Sequence, residues 1–340
     1  MFRPTKIKHY LDRMQHRGFT AEAVLAGSKI ELPKLQDPEY LIDIWQSQRV
    51  IANMMELTGN NALGLELGKE VRFSDFGIVG YALMSARSMR DVIKLWIAFS
   101  HSLIGVMLKI DLVERPNEWR VTFSEIVPMG SLLRFCVEEN LTFGQWIGET
   151  VVQQPIHYSK VELSYPAPAH QEAYRGIFKG PVVFGAQETA VNVLSPSIEV
   201  QAPDNRDSEL FNACQQYCHQ VLRKITAERP LAFRLRNLFL RSSGQFPTLE
   251  EAAAKLHLST RTLRRHLDLE GVSYQELLNE FRCDLAKEYL KTSYLPVQEI
   301  GYLLGYQDPK AFPRAFKAWT GMTLTQYRAQ HASKRQRHTT

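Results

Sequence analysis

Hydrophobic side chains recur at helical spacing through the first hundred residues. The pattern over 42–57 gives a helix one apolar face, and Gly59 is placed to end that helix. Ser74 is a suitable N-cap for a helix that runs to about 85, and Ser88 opens the next one. This part of the chain is therefore predicted to be mostly helical.

The pattern changes to alternation beyond 105. Two strands joined by a turn are predicted over 106–113 and 119–123, and a helix follows over 131–152. Shorter strands are predicted at 161–165, 182–184 and 190–194. Helices ahead of an interrupted sheet that contains a hairpin predict an α+β domain over 1–200, with a small, mostly antiparallel sheet.

The C-terminal third has the pattern of a helix-turn-helix unit. A short helix over 248–256 is followed by a turn and by a second helix over 260–269, for which Ser259 is the N-cap. Leu263 and Leu267 share one face of this second helix. The opposite face is basic and presents Arg261, Arg264 and Arg265. One apolar and one basic face are typical of a recognition helix.

The same pattern returns about 48–50 residues later. A second short helix is predicted over 296–306, and Asp308 with Pro309 begins the helix that follows. Phe312 and Phe316 repeat the inward pair. The opposite face carries Lys310, Arg314 and Lys317. Two copies of the pattern predict an all-α DNA-binding domain with two helix-turn-helix units.

A long helix over 273–292 is predicted to join the two units. At ~1.5 Å per residue it is ~30 Å long, close to the ~34 Å of one turn of B-DNA. A spacer of that length would place the two recognition helices in successive major grooves. Pro313 lies near the start of the second recognition helix, where a missing backbone donor costs little. Gly321 ends that helix, and a closing helix is predicted over 324–329.

Charge is unevenly distributed along the 340 residues. Residues 230–340 carry 17 Lys and Arg against 10 Asp and Glu, whereas residues 1–229 carry 24 against 26. This asymmetry favours a polyanion as the partner of the C-terminal third, and the helix pattern indicates double-stranded DNA. A basic tail without a partner is the alternative, because three of these charges belong to 332–340, which is predicted to be disordered.

The recognition helices are predicted to supply the DNA contacts. Arginine can reach guanine O6 and N7 or phosphate, and hydroxyl groups suit phosphate. The predicted DNA-binding residues are Ser259, Thr260, Arg261, Thr262, Arg264, Arg265, Gln307, Lys310, Arg314 and Lys317.

Length and composition limit the remaining organisation. The chain has no apolar run of the ~18–20 residues that span a bilayer, no secretion signal and only four cysteines, which predicts a cytoplasmic protein without membrane contact. Polar, turn-rich linkers are predicted at 201–207 and 241–247. A regulatory domain over 1–200 is therefore expected to precede a helical dimerisation or linker segment over 201–241 and the DNA-binding domain over 242–331.

Helices of the first domain hold side chains that suit an effector pocket, namely Trp96, His101, Arg134 and Trp146. Core packing is the alternative. Arg134 lies among apolar neighbours, so it needs an anion, either a nearby carboxylate or an acidic effector. A domain that only dimerises or binds a protein is a second alternative. For a homodimer, the apolar stripe over 210–222 is the candidate surface, although it could equally cover the domain's own core.

Enzyme chemistry finds little support in the sequence. None of the glycine-rich nucleotide-binding, serine-nucleophile or zinc-protease motifs is present, so no enzyme activity and no cofactor are predicted. Cys214 and Cys218 with His219 could begin a metal site, but no second Cys/His pair follows. Buried or interface cysteines are favoured, and no metal site is predicted.

The C-terminal residues resemble the signature of the AraC/XylS family of transcription regulators. The resemblance rests on 299–306, 312–317 and 321–328, and it covers about 230–331. Segments at 57–68, 77–84 and 178–185 resemble the family's arabinose-binding-domain-like module, and the similar group is that of ornithine-utilisation and quorum-sensing-linked regulators.

This resemblance implies a dimerising N-terminal domain that senses a small-molecule effector, together with promoter-specific DNA binding. A regulator of this kind is expected to act as an activator and to meet RNA polymerase at the promoter. The name of the module does not make arabinose the ligand.

Overall fold

The computed structural model describes residues 1–203, 208–227, 230–240, 242, 244–293, 295–308 and 310–335. These residues fall into two units. The first contains Met1–Glu125 and Leu132–Arg223, and the second contains Ile126–Ser131 and Lys224–Thr340. The predicted linkers at 201–207 and 241–247 lie partly outside the described residues, as does the end of the predicted tail.

Helices make up most of the first unit. They are α1 (Thr5–His16), α2 (Ala21–Leu25), α3 (Ile44–Thr58), α4 (Leu63–Glu70), α5 (Gly77–Met84), α6 (Met89–Phe99), α7 (Leu132–Val152), α8 (Glu172–Arg175), α9 (Ser195–Glu199) and α10 (Ser208–Ala227). Helix α3 ends at Gly59 in the left-handed region, and Ser88 caps α6 by accepting a hydrogen bond from the backbone N–H of Asp91. Both predicted helix boundaries are confirmed.

The helix predicted from Ser74 begins three residues later, so the prediction that Ser74 is its N-cap is wrong. A single turn of 3-10 helix covers Phe73–Phe76, and the side chain of Asp75 accepts a hydrogen bond from the backbone N–H of Arg72 at 2.8 Å. Gly77 has a φ of 53° and redirects the chain before α5 starts. Only a residue that tolerates this backbone conformation fits here.

A five-stranded sheet completes the first unit. Its strands are β1 (Leu108–Glu114), β2 (Glu118–Glu125), β3 (Tyr158–Leu163), β4 (Val182–Phe184) and β5 (Thr189–Leu194). The spatial order is β1-β2-β5-β3-β4, and all neighbouring pairs are antiparallel except β3 with β4. The predicted small, mostly antiparallel sheet is confirmed, and so is the α+β class of this domain.

One face of the sheet carries a polar cluster that links three strands. Arg120 on β2 donates hydrogen bonds to Glu162 on β3, at 2.5 Å, and to Asn192 on β5, at 3.0 Å. Lys160 adds a second cation on Glu162 at 2.9 Å. The hydrogen bond from Arg120, followed by that from Lys160, lowers the pKa of Glu162 to about 2. The carboxylate is therefore strongly favoured in the folded state.

Two glycines allow α4 to lie directly against α7. A Cβ atom on Gly64 would come within 2.6 Å of the carbonyl oxygen of Phe135, and one on Gly68 within 2.7 Å of that of Glu139. Any larger residue would push the helices apart. This packing is the physical reason for the glycine pattern over 63–68.

Helix α1 brings charged groups into the interior. Lys6 and Tyr10 both donate hydrogen bonds to the carboxylate of Glu139 on α7. Two further side chains of α1, His9 and Arg13, face Asp75, with His9 Nδ1 3.0 Å and an Arg13 nitrogen 3.6 Å from its Oδ2. Burial of Lys6 and Arg13 is tolerated because each lies beside a carboxylate.

The apolar stripe of α10 packs within the first unit. Phe211, Cys214 and Cys218 are buried, and the guanidinium of Arg87 lies over the Phe211 ring at 5.3 Å. Further along the helix, the ring of His219 contacts Phe99 at 4.9 Å. Of the two interpretations of this stripe, covering the domain's own core is the one that the contacts support.

The second unit is helical in its described residues. Its helices are α11 (Leu231–Leu240), α12 (Leu249–Lys255), α13 (Thr260–Leu269), α14 (Tyr274–Thr292), α15 (Val297–Leu303), α16 (Ala311–Thr320) and α17 (Leu324–Arg335). The last helix extends six residues beyond the predicted 324–329 and into the segment expected to be disordered. The prediction of an all-α domain is confirmed.

The long helix α14 forms the centre of this unit. Its Phe281 packs against Phe239 of α11 and against Phe246, with ring centroids 5.7 Å apart in both pairs. At the next residue of the helix, the guanidinium of Arg282 lies between the rings of Phe246 and Tyr306, at 5.4 and 5.0 Å from their centroids. A side chain of α14 thus contacts the segment ahead of α12 and the segment ahead of α16.

None of the described helices combines the length and the apolar character that a bilayer-spanning helix needs.

Candidate nucleic-acid interface

Helices α12–α13 and α15–α16 form two helix-turn-helix units with the same backbone hydrogen bonds. The N–H of Leu258 donates to the carbonyl of Ala253, at 2.9 Å, and the N–H of Tyr306 donates to that of Gly301, at 3.0 Å. Both donors and both acceptors are 48 residues apart. The sequence repeat therefore corresponds to a repeated turn.

The turn between the two helices of each unit needs one residue in the left-handed backbone conformation. Gly305 supplies it in the second unit with a φ of 75°, and His257 supplies it in the first with a φ of 56°. Glycine adopts this conformation at little cost, whereas a residue with a Cβ does not. Alignment of the two copies at an offset of 48 pairs His257 with Gly305, so the sequence contained the signal for this strained position.

The first recognition helix is α13. Ser259 accepts a hydrogen bond from the backbone N–H of Thr262 at 3.1 Å, which confirms it as the N-cap. Leu263 and Leu267 are fully buried, as their spacing predicts. The opposite face exposes Arg261, Arg264 and Arg265 to solvent.

The second recognition helix is α16, and it begins later than predicted. Lys310 rather than Asp308 is its N-cap residue, and no side chain caps the first turn. Asp308 still accepts a hydrogen bond from the backbone N–H of Lys310, at 3.0 Å, but in the turn that precedes the helix. The prediction that Pro309 opens the helix lies outside the described residues.

Inside α16, the inward pair and the proline are placed as predicted. Phe312 and Phe316 are fully buried. Pro313 is the third residue of the helix, where a backbone N–H has no partner within the helix in any case. Gly321 ends the helix in the left-handed region.

The basic residues of both recognition helices have no acidic partner among the described residues. Ion pairs of the second unit join Arg236 to Glu280 and Lys291 to Glu288, away from α13 and α16. Exposed side chains of the predicted DNA-binding set are Ser259, Arg261, Arg264, Arg265, Gln307, Lys310, Arg314 and Lys317, and Thr260 and Thr262 are half-buried. Cations held without a counter-charge are suited to phosphate and to base edges.

The four residues predicted for an effector pocket do not form one site. Trp96 and Trp146 belong to an aromatic cluster around Phe143, with centroid distances of 4.6 and 6.4 Å. His101 instead bonds the carbonyl of Val106 through Nδ1 at 2.8 Å.

Arg134 finds its anion within the protein. Its Nε lies 3.9 Å from Oε1 of Glu138, whose side chain is fully buried, and a terminal nitrogen donates to Asn61 at 3.4 Å. Burial raises the pKa of Glu138, although hydrogen bonds from Tyr174 and His170 oppose the rise. Of the two anions considered for Arg134, the neighbouring carboxylate is the one observed.

Arg282 is a packing residue of the second unit that the sequence did not reveal. It sits on α14, outside both helix-turn-helix patterns, and nothing in its local sequence distinguishes it from a solvent-exposed arginine of an amphipathic helix. Its role depends on Phe246 and Tyr306, which lie 36 and 24 residues away in the chain.

Paired helix-turn-helix units with unpaired basic faces define a DNA-binding transcription regulator. Comparison with known proteins makes the class more specific. Residues 18–195 match the model of the arabinose-binding domain of AraC transcription regulators, N-terminal part, and residues 252–330 match a helix-turn-helix domain. The chain belongs to the AraC family of transcription regulators.

Relatives in this family match most of the chain or only its second unit. The ornithine utilization regulator of Pseudomonas aeruginosa is 31% identical over 320 residues, which is 94% of this chain and 93% of that protein. The urease operon transcriptional activator of Escherichia coli is 38% identical over 82 residues, covering 24% and 28% of the two chains. These relatives are regulators and not enzymes.

Solved structures include a regulator that aligns along most of the chain. The crystal structure of transcriptional regulator CdpR from Pseudomonas aeruginosa is 23% identical, with a TM-score of 0.43, over 90% of this chain and 95% of that one.

Proposed function

We propose that this regulator is a promoter-specific activator that binds DNA as a homodimer and responds to a small-molecule effector through its first unit. The observation that carries the DNA-binding part is the pair of exposed basic faces on α13 and α16, neither of which has an acidic partner among the described residues. In water such faces attract phosphate, and in a major groove they can read bases.

Each recognition helix has a distinct set of contacts in this proposal. On α13, Arg261, Arg264 and Arg265 reach guanine edges or phosphate, while Ser259, Thr260 and Thr262 lie at the helix N-terminus, where phosphate binds well. On α16 and the turn before it, the contacts come from Gln307, Lys310, Arg314 and Lys317. Phosphate contacts fix the register, and the arginines supply the sequence preference.

Activation and sensing rest on relatives rather than on contacts within the chain, and dimerisation rests on the resemblance to the family. One relative of the second unit is named as a transcriptional activator, and the relative that matches along most of the chain is named for the use of a metabolite. We infer that this chain likewise recruits RNA polymerase to a promoter under the control of a metabolite.

Arg265→Ala tests the DNA-binding assignment. We expect the full-length variant to lose about 1–3 kcal/mol of binding to its operator, and to lose less on an unrelated duplex, because a base contact serves one sequence only. Fluorescence anisotropy at several salt concentrations measures both affinities. An equal loss on both duplexes would assign Arg265 to phosphate, and no loss on either would contradict the proposal.

Arg175→Ala is the matched control for this experiment. It removes the same charge from an exposed site on α8 in the first unit, where Arg175 pairs with Glu172. The affinity for both duplexes should stay at the wild-type value. A loss equal to that of Arg265→Ala would mean that net charge alone governs binding.

Sensing and dimerisation need separate measurements. Light scattering on the full chain gives the oligomeric state, for which we expect twice the mass of one chain. Footprinting of the operator with and without candidate metabolites shows whether a ligand changes occupancy, which it can do only through different affinities for two states. A monomer, or an occupancy that no metabolite changes, would remove the corresponding part of the proposal.

A further inference from the structure

A cavity of about 250 Å³ lies beside the first helix of the first unit. Arg3, Thr5 and Lys8 line one side of it, and the segment from Ser74 to Val79 with Leu103 lines the other. The rim is fixed, because the backbone N–H of Arg3 donates to Ser102 and the hydroxyl of Thr5 donates to Leu103. The site therefore does not depend on a loose chain terminus.

Positive charge dominates the cavity wall. In the described chain, neither Arg3 nor Lys8 has a carboxylate within ion-pair distance, and Nε of Arg3 is buried without a hydrogen-bond partner. Asp75 is the one carboxylate of the lining, and His9, Arg13 and the backbone N–H of Arg72 already surround it. Two cations are left to attract an anion.

The first turn of α5 strengthens this preference. Gly77, Ile78 and Val79 line the cavity, and no side chain caps the turn. The backbone N–H of Gly77 already donates to the carbonyl of Ser74, but the N-terminus of a helix still carries partial positive charge, which favours an anion. Independent of the two cations, this places a second source of positive potential at the same cavity.

The rest of the wall is mixed, with Thr5 and Ser74 polar and Phe76, Ile78, Val79 and Leu103 apolar. Phe76 and Leu103 are buried side chains of the lining, and Phe76 also packs on Trp96 at 5.7 Å. A volume of 250 Å³ is below the ~300–1,000 Å³ of sites for drug-sized ligands. A small molecule with one charged end and a short apolar body fits both the charge and the size.

We propose that this cavity binds a small organic carboxylate, with the carboxylate group on Arg3 and Lys8 and the apolar body against Phe76 and Leu103. This site rests on the proposed sensing function, for which it supplies the ligand class. The ligand would contact both α1 and α5, and α1 also reaches Glu139 of α7 through Lys6 and Tyr10. Occupancy can thereby bias the packing of the first unit.

Isothermal titration calorimetry on the full chain tests the site directly. Butyrate and benzoate are the probes, butyramide and benzamide are their uncharged counterparts, and inorganic phosphate is a second anion. We expect the carboxylates to bind and the amides not to bind. Binding of the amides with equal affinity, binding of phosphate alone, or no heat from any probe would each overturn the proposal.

Substitutions of the two lining cations show whether the carboxylate probes bind in this cavity. Arg3→Gln and Lys8→Gln should each weaken carboxylate binding, and together they should weaken it about tenfold or more, since each removes a charge-assisted hydrogen bond. Lys69→Gln is the matched control, because Lys69 is exposed in the same unit and does not line the cavity. Affinity unchanged in the double variant would show that the probes bind elsewhere.

Footprinting in the presence of a bound probe separates this site from the sensing function. A probe that binds the cavity in calorimetry but leaves operator occupancy unchanged contradicts sensing and keeps the site. A metabolite that changes occupancy equally in wild type and in the double variant contradicts the site and keeps sensing.

Discussion

His257 and Gly305 occupy equivalent turns, and only one of them suits its backbone. His257 has a φ of 56° and an exposed side chain. The left-handed region costs a residue with a Cβ roughly 1–2 kcal/mol, whereas the extra freedom of glycine in the unfolded chain costs about 0.5–1 kcal/mol. We therefore expect His257→Gly to stabilise the second unit by about 0.5–1 kcal/mol in a urea titration.

Gly305→Ala is the converse variant. Its Cβ would lie 2.7 Å from the carbonyl oxygen of Gly244, and its φ of 75° is unfavourable for alanine. This variant should lose stability. If His257→Gly also lost stability, the strain assigned to His257 would be absent.

Glu162 makes the stability of the sheet depend on pH. Its pKa in the folded chain is about 2, below the ordinary value of 4.5, mainly because Arg120 donates a hydrogen bond to it. A lowered pKa contributes stability that is present above pH 4.5 and is lost as the pH falls towards 2. We expect the free energy of unfolding to fall less over that range in Glu162→Gln than in the wild type.

A carboxylate outside the cluster provides the control for this pH dependence. Glu172→Gln removes one member of an exposed ion pair with Arg175. Because Glu162 remains, the free energy of unfolding of this variant should fall at low pH by as much as that of the wild type. Identical profiles for wild type and Glu162→Gln would show that the cluster contributes nothing.

At the scale of single residues, the sequence predicted burial correctly where the spacing along one helix determines which side chains face the core. Leu263, Leu267, Phe312 and Phe316 follow a helical repeat, and burial of one face places them inside. Spacing did not reveal that the ring of His101 contacts Phe2 or that Trp146 contacts Phe73, because these partners come from distant segments of the chain. No local pattern encodes such contacts.

At the scale of elements, the contact between α4 and α7 depends on the absence of side chains. Gly64→Ala should destabilise the first unit by about 1–3 kcal/mol, the usual cost of overpacking, since its Cβ would meet backbone and the Cβ of Glu138 at 3.0 Å. Thermal or urea unfolding of the full chain measures the loss.

Gly144→Ala is the matched control on α7. It has no atom within 4 Å of the new Cβ, so the higher helix propensity of alanine should stabilise the chain, by up to about 1 kcal/mol. Equal effects of the two substitutions would contradict close packing at Gly64.

Helix starts were less predictable than helix faces. Ser74 and Asp308 both have the side chains of good N-caps, but each lies in a turn that precedes its helix by a few residues. At Ser74 the difference arises because Gly77, with a φ of 53°, redirects the backbone before α5 begins. Side-chain type reports a tendency, and the backbone conformation decides where the helix begins.

At the scale of the whole molecule, we expect the length of α14 to set the spacing of the proposed DNA contacts. Its 19 residues correspond to ~28 Å at ~1.5 Å per residue. We expect footprinting with the full chain to show two protected major-groove segments per protomer, about 10–10.5 base pairs apart on one face of the duplex. Protected segments half a turn out of phase would contradict this arrangement.

Variants assign the two segments to the two helices. Arg265→Ala should weaken protection of one segment, and Arg314→Ala should weaken the other. Loss of both segments in each variant would mean that the recognition helices do not bind separately.

The architecture could be predicted because its signals repeat or alternate over many residues. The two copies of the helix-turn-helix pattern and the strand hairpin are of this kind. The extent of the predicted linkers remains a prediction, because several residues of 201–247 lie outside the described chain. Between the two linkers, α11 packs on α14 through Phe239. The cavity beside Arg3 was missed because its walls come from three separate segments of the chain.

Arg282 connects the segment ahead of α12 with the segment ahead of α16, and it does so through ring contacts rather than hydrogen bonds. Its Nε is buried without a hydrogen-bond partner, and its contacts are the faces of Phe246 and Tyr306. Attraction between a cation and a ring requires the cation to stay over the ring face within about 6 Å of the centroid, but it fixes no single donor–acceptor line. We therefore expect this contact to survive small shifts of Phe246 or Tyr306 that would break a hydrogen bond, so that the segments ahead of α12 and α16 stay held to α14.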